Sequence, residues 1–311
     1  MRWLSPRSAC WLVGATVLGT VLWRAGVDPF VDGVASLDAP TLALGAALAV
    51  PITVACAWRW HRVARGLGMD VDPGPAVASC YRAQFLNTVL PGGVLGDVHR
   101  GVRHGRLAGD TGRGLRAVGW ERTAGQVVQA VIAVGVLLLL PSPVQSSAPW
   151  LLLVLVAGGL LVMIVLRAGV GGVLGTVRDD LRRGVFGHSV WPWVVLTSAV
   201  AVVGHLATYL LAARAVGVTA STATLLPLAV LVLVAAGLPT NVAGWGPREG
   251  VAAWAFAGAG LGAGQGVATA VAYGAIIAVA NLPGAVLLVL GLFRRRGVVY
   301  PAAALEGTAH G

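Results

Sequence analysis

The stretch "LPGGVLGDVHRG" occupies residues 90–101, and "LPTNVAGWGPRE" occupies residues 238–249. Superposed at an offset of 148, Leu90, Pro91, Val94, Gly96 and Arg100 fall on Leu238, Pro239, Val242, Gly244 and Arg248. Proline lacks a backbone N–H and ends a helix, while glycine permits tight turns and close backbone approach. One Pro/Gly/Arg turn written twice, half a chain apart, reads as an internal duplication. The chain around the two turns decides what such a break is for.

That chain is apolar. Hydrophobic residues make up 57% of the 311 positions and charged residues 11%, far below the ~25% charge of soluble domains, and the mean hydropathy is +0.82. Continuous apolar runs fall at about 9–23, 40–58, 117–140, 148–166, 191–214 and 266–292. Such lengths suit a hydrocarbon core of ~30 Å. Two further segments are interrupted: 75–90, which runs into the first turn, and 223–238, which runs into the second and on to 248–262. The expectation is an all-α polytopic membrane protein with about six full transmembrane helices and two broken, re-entrant hairpins. Arg2 and Arg7 precede the first run, but Trp23-Arg24-Ala25-Gly26 is a poor cleavage site, so that run reads as an uncleaved helix.

Net charge is +10, and all 22 basic residues are arginine. Their position in short loops points to membrane topology rather than to nucleic acid. With the N-terminus inside, 17 of the 22 arginines become cytoplasmic, among them Arg59, Arg62 and Arg65 and the basic loop 98–116, and only Arg24 and Arg214 lie outside. The C-terminus is then cytoplasmic too, and the compartment expected is the plasma (inner) membrane. Trp58, Trp60, Trp191 and Trp193 read as interfacial aromatics.

The offset organises the whole chain. It carries 75–90 onto 223–238, 117–140 onto 265–288 and 40–58 onto 188–206, and 9–23 roughly onto the fourth run. Residues 1–311 form a single membrane domain with a first half at 1–145, a second at 146–296 and a short cytoplasmic tail at 297–311. One half starts inside and the other outside, which makes the expected architecture an inverted-topology repeat, the construction of many secondary transporters.

Non-helical backbone inside a bilayer is tolerated where it lines a cavity. Helix ends at a break turn their dipoles into that cavity, and a nearby arginine completes an anion site. The residues expected around a lipid headgroup are Asn87, Asp97, Arg100, Glu121, Arg122, Asn241, Arg248 and Glu249. The hairpin backbone is expected to rest on Pro91, Gly96, Pro239, Gly244 and Gly246. A second reading makes Asp97–Arg100 and Arg248–Glu249 local ion pairs that stabilise two turns, and both readings can hold together. His205 reads as a hydrogen-bonded packing residue, Cys10, Cys56 and Cys80 as buried thiols, and Arg178–Arg183 as a cytoplasmic interfacial helix. The chain has no lysine for a Walker loop, no HExxH and no ligand spacing among its six histidines, so neither cofactor nor metal is expected.

"NTVLPGGVLGDVHRG" (87–101), "ERTAG" (121–125) and "LPTNVAGWGPREG" (238–250) resemble the flippase-like membrane family related to the transmembrane domain of lysylphosphatidylglycerol synthases. The matching positions are Asn87, Pro91, Gly96, Asp97 and Arg100, then Glu121 and Arg122, then Pro239, Gly244, Gly246, Arg248 and Glu249. The resemblance implies a lipid flippase-like fold over about 10–292. The full synthases add a soluble aminoacyl-transferase domain; this sequence stops about fifteen residues after Arg296, so no aminoacyl transfer is expected of it.

The function expected is a non-enzymatic lipid transporter handling an anionic phospholipid or a polyprenyl-phosphate-linked lipid of the cell envelope. Its partners would be membrane lipids, with an envelope-biosynthesis protein as a further candidate, and no nucleic acid. Two alternatives remain: an accessory or scaffold subunit for envelope lipid or glycan enzymes, and a membrane-embedded glycosyl- or acyltransferase built on Glu121 or Glu249.

Overall fold

A computed structural model describes residues 6–90, 92–145, 148–167, 171–237 and 245–296. Every element among them is a helix: α1 (Pro6–Ala25), α2 (Asp28–Ala35), α3 (Ala39–Gly66), α4 (Pro73–Val89), α5 (Leu95–Leu107), α6 (Thr111–Leu139), α7 (Ala148–Arg167), α8 (Gly172–Asp180, continued by a π-helical turn at Leu181–Val185), α9 (Trp191–Ala215), α10 (Thr222–Ala236), α11 (Pro247–Gly258), α12 (Ala263–Ala280) and α13 (Leu282–Arg296).

Local chemistry sets the ends. Asp38 caps α3 by accepting from the Thr41 N–H at 2.9 Å, and Asp110 caps α6 through the Arg113 N–H at 2.8 Å, each satisfying a donor that a helix start leaves open. That Arg113 N–H holds the Asp110 carboxyl below its ordinary pKa. Four helical stretches are long and apolar enough to cross a membrane: Ala39–Gly66, Thr111–Leu139, Trp191–Ala215 and Ala263–Gly291. At 28 residues, α3 is about 42 Å long, more than the ~30 Å hydrocarbon core requires. The apolar run at 148–166 forms α7, whose core Pro149–Ile164 is shorter. The last stretch is broken where Asn281 caps α12, and Asn281 Nδ2 donates to Thr88 Oγ1 at 3.0 Å.

The order long, medium, short, long occurs twice, as α3–α4–α5–α6 and as α9–α10–α11–α12/α13. The turns between these helices recur in atomic detail. After α3, Leu67, Gly68 and Met69 donate to Val63, Arg65 and Ala64; after α9, Val216, Gly217 and Val218 donate to Ala212, Arg214 and Ala213. Both glycines are left-handed, at φ 76° and 85°, which a side chain would resist. The turn after α5 (Ala108, Gly109, Asp110) recurs after α11 (Ala259, Gly260, Leu261) with the same bonding pattern.

Packing follows the same scheme. α3 lies against α9 at the centre, α4 packs on α5 and α10 on α11, and α5 packs on α6 and α11 on α12. α13 packs on α4, and α6 packs on α10. The largest core cluster joins Tyr209, Leu225, Leu228, Phe256 and Ile276, all at most 1% exposed.

One expectation is corrected here. Residues 98–116, read as a basic loop, are mostly helix: they form the body of α5 and the start of α6. Gly101, Gly105 and Gly114 have no side chains to separate those two helices, and a Cβ on Gly105 would lie 2.6 Å from the Thr111 Cα.

Candidate functional site: a buried charge network facing a cavity

Four helices bring their charged or polar residues to one place. Glu121 on α6 is 2% exposed and holds two arginines. Its Oε1 accepts from Arg59 Nε at 2.9 Å and Nη2 at 2.6 Å, and its Oε2 accepts from Arg100 Nη2 at 2.9 Å. Arg100 Nη2 also donates to Asp97 Oδ1 at 2.7 Å, and its Nη1 donates to Cys80 Sγ at 3.0 Å. The Arg100 guanidinium lies over the Trp60 ring, 4.6 Å from its centroid. Asp97 Oδ2 accepts from Asn87 Nδ2 at 2.7 Å and from Arg122. Asn87 Oδ1 in turn takes the Gly96 N–H at 2.8 Å, which pins the start of α5 to the end of α4. Gly96 permits that approach, because a Cβ there would run into the Ala83 backbone.

The network faces a partly open cavity whose lining includes all five charged side chains, with Gln84, Asn87, Gln126, Gln129, Ser198 and His205. Arg59, Arg100 and Arg122 against Asp97 and Glu121 leave one positive charge in excess. Arg100 is 4% exposed, and its Nε is buried with no hydrogen-bond partner among the described residues. An unpaired buried donor costs ~1–3 kcal/mol, more for a charged group. A second, shallower depression opens beside the first. It shares Arg122 and Gln126, and is otherwise lined mainly by Val94, Thr123, Val127, Ala130, Leu155 and Gly237.

Two residues differ from expectation. Arg59, grouped with Arg62 and Arg65 as cytoplasmic, is 7% exposed inside α3, where Glu121 and Ser198 Oγ (3.0 Å) satisfy it. Trp60, read as an interfacial aromatic, is 1% exposed because it is sandwiched against Arg100 and the edge of His104. Trp58 and Trp193 do meet each other, edge to face, at 5.7 Å.

The second motif is built differently. Gly246, at φ 123°, opens α11. Its N–H donates to Glu249 Oε2 at 2.7 Å, and Arg248 reaches Glu249 Oε1 through Nε (2.9 Å) and Nη2 (2.5 Å). Glu249 is fully buried. Arg248 lies between Trp245 and Tyr273, with centroids at 5.7 and 5.6 Å. Neither Arg248 nor Glu249 is among the residues lining this cavity; Arg100 pairs with Asp97 and Glu121, and Arg248 with Glu249. Arg100 is the sixth residue of α5, and Arg248 the second of α11. Pro91, Pro239, Asn241 and Gly244 lie outside the described residues.

Sequence reasoning passed over Arg59 and Ser198. A signal for Arg59 was present: Ile52, Cys56, Arg59 and Val63 share one helical stripe, and Ile52 and Val63 are core residues.

Apolar helices of membrane-crossing length around a buried, net-positive cavity define a multi-pass membrane protein with an internal polar site. Residues 11–284 match the family model described as the lysylphosphatidylglycerol synthase TM region, and the chain belongs to that family. Neither the curated proteins nor the solved structures gave a match.

Proposed function

We propose that this protein moves an anionic lipid across the plasma membrane, taking the phosphate-bearing headgroup into the Arg59/Arg100/Arg122 cavity. The observation that carries the reading is the single excess positive charge, together with an Arg100 Nε that has no hydrogen-bond partner among the described residues. An isolated charge at membrane depth costs ~2.5–3.5 kcal/mol on insertion scales and marks function or internal pairing. Here the pairing is incomplete by one anion, and guanidinium groups bind phosphate with charge-assisted, bidentate bonds. The neighbouring apolar depression lined by Val127, Ala130 and Leu155 suits an acyl or polyprenyl tail, with Arg122 and Gln126 at the junction of head and tail.

In this reading the recurring helix order is an inverted repeat with about six spans and both termini cytoplasmic. The halves rock about the central α3/α9 contact to expose the cavity alternately. Hydrolytic or transfer chemistry is disfavoured. Glu121 already accepts from two arginines and Glu249 is sealed from the cavity, so neither carboxylate is free to act as a general acid or base.

Proteoliposomes carrying headgroup-labelled lipids test this. Protein-dependent loss of inner-leaflet protection is expected for phosphatidylglycerol and not for a neutral glycolipid, and it should fall in Arg100→Gln. Ala130→Trp, which fills the apolar depression without removing a charge, should slow long-chain lipids more than short-chain ones. Equal rates for charged and neutral headgroups would refute the assignment. If no lipid moves but an envelope enzyme co-purifies in stoichiometric amount, the protein is a scaffold.

A further inference from the structure

His205 on α9 lines the charged cavity, and its Nδ1 is 2.9 Å from the Tyr273 hydroxyl on α12. Tyr273 in turn lies under the Arg248 guanidinium. Thus one imidazole joins the cavity of the first motif to the sealed ion pair of the second. The groups around it are few. α3 presents Arg59 and Cys56, α6 presents Glu121 and Arg122, α12 presents Tyr273, and its own helix carries Tyr209 one turn on. α10, which also packs on α9, has no titratable side chain. Of these, Glu121 is committed to Arg59 and Arg122 to Asp97, and the remaining thiol and phenols titrate well above neutrality in their ordinary state. Histidine is the one side chain here whose ordinary titration falls near neutral pH.

We infer that His205 is a proton-binding site coupled to anion occupancy, so that the cavity takes up an anionic headgroup together with a proton. The inference rests on the anion-cavity reading above. In the empty cavity a proton on His205 would add a second positive charge to the one already in excess. An anion among the arginines reverses that balance and favours imidazolium. By linkage, each ligand raises the affinity for the other. Tyr273 accommodates both forms: its hydroxyl donates to Nδ1 of neutral His205 and accepts from Nδ1–H of the protonated ring. The chemistry balances as one proton taken from bulk water onto an imidazole nitrogen, with no bond to the ligand made or broken.

Calorimetric titration of the purified protein in detergent with dioctanoyl phosphatidylglycerol, in two buffers of different ionisation heat, counts the protons taken up. In acidic buffer, where a buried imidazole beside Arg59 can gain a proton, the wild type should take up a substantial fraction of a proton on binding. Its affinity should fall as pH rises, approaching roughly tenfold per pH unit for full coupling. His205→Gln keeps a hydrogen-bonding partner for Tyr273 but cannot titrate, so its binding, whatever its strength, should move no proton and lose the pH slope. Wild-type binding without proton uptake overturns the inference, as does uptake that persists in His205→Gln. Absence of binding at every pH would sink the anion cavity itself, and the proton site with it. A sharp thermal unfolding transition for the variant, measured alongside, excludes misfolding as the cause of a lost slope.

Discussion

Replacing Glu121 with Gln should separate what holds this protein together from what it binds. Both bonds from Arg59 fall on Oε1, and a carboxamide oxygen in the same place can still accept them. The amide nitrogen would then face Arg100 Nη2, donor against donor, where the carboxylate accepts at 2.9 Å. Breaking a buried ion pair by removing one partner costs ~3–5 kcal/mol. Asp97 still holds Arg100 at 2.7 Å, which puts the expected loss near the lower end, about 3 kcal/mol or a factor of ~100 in the unfolding equilibrium. The cavity, meanwhile, gains a second excess positive charge. At ~8 Å and an effective dielectric near 20, that charge is worth about 2 kcal/mol of attraction to an anion. Denaturant unfolding in detergent and calorimetric titration with a short-chain phosphatidylglycerol read the two quantities on one sample. The variant should be clearly less stable yet bind the anionic probe no more weakly. A variant within 1 kcal/mol of wild type would show that the network does not support the fold, and weaker anion binding would refute the charge count.

Arg100→Gln should weaken anionic-lipid binding ten- to a hundredfold, from the ~1.5–3 kcal/mol of a charge-assisted contact, and Arg100→Lys should recover only part of it because it lacks the planar fork. Arg248→Gln, in contrast, should lower thermal stability with little change in anion affinity at fixed pH, and a comparable loss of affinity would return Arg248 to the binding site. Asp180→Asn removes the charge that meets Arg116 Nε at 2.8 Å and Trp120 Nε1 at 3.0 Å; with Arg116 40% exposed, a loss of ~1–2 kcal/mol should appear in the melting curve. For topology, a single cysteine at Gln145 should react with an impermeant maleimide in intact cells and one at Arg106 should not; reversed labelling would overturn the cytoplasmic assignment of α5.

Much of this was legible in the residues. Uninterrupted apolar length identified a membrane protein. Proline and glycine at the first turn, with Asp97, Arg100, Glu121 and Arg122 nearby, marked the positions that now form the charge network. Two things were hidden. Arginine near the end of an apolar run reads as a loop residue, because hydropathy averages over a helix and does not register which face a charge takes. Arg59 is buried because Glu121, 62 positions later, waits for it across α3 and α6. Equivalence of the two turns was also overstated by letter matching. A fixed offset aligns Arg100 with Arg248, whereas the helix ends after α5 and α11 align Ala108 with Ala259, three residues out of step. A shift of three residues carries a side chain nearly one turn along a helix, and Arg248 meets Trp245 and Tyr273 there.

The final helices are exchanged between the two helical sets: α13 lies on α4, while the end of α6 lies on α10. Two bodies each gripped by the other's arm cannot slide apart as free blocks, so any relative rotation has to be taken up within the arms. One arm is the unbroken 29-residue α6, a strut. The other is jointed at Asn281, whose side chain is tied to Thr88 at the tip of α4. If the halves rock as proposed, α6 would act as the stiff rail, and the break at Asn281, tied to Thr88, would be the place where the other arm bends.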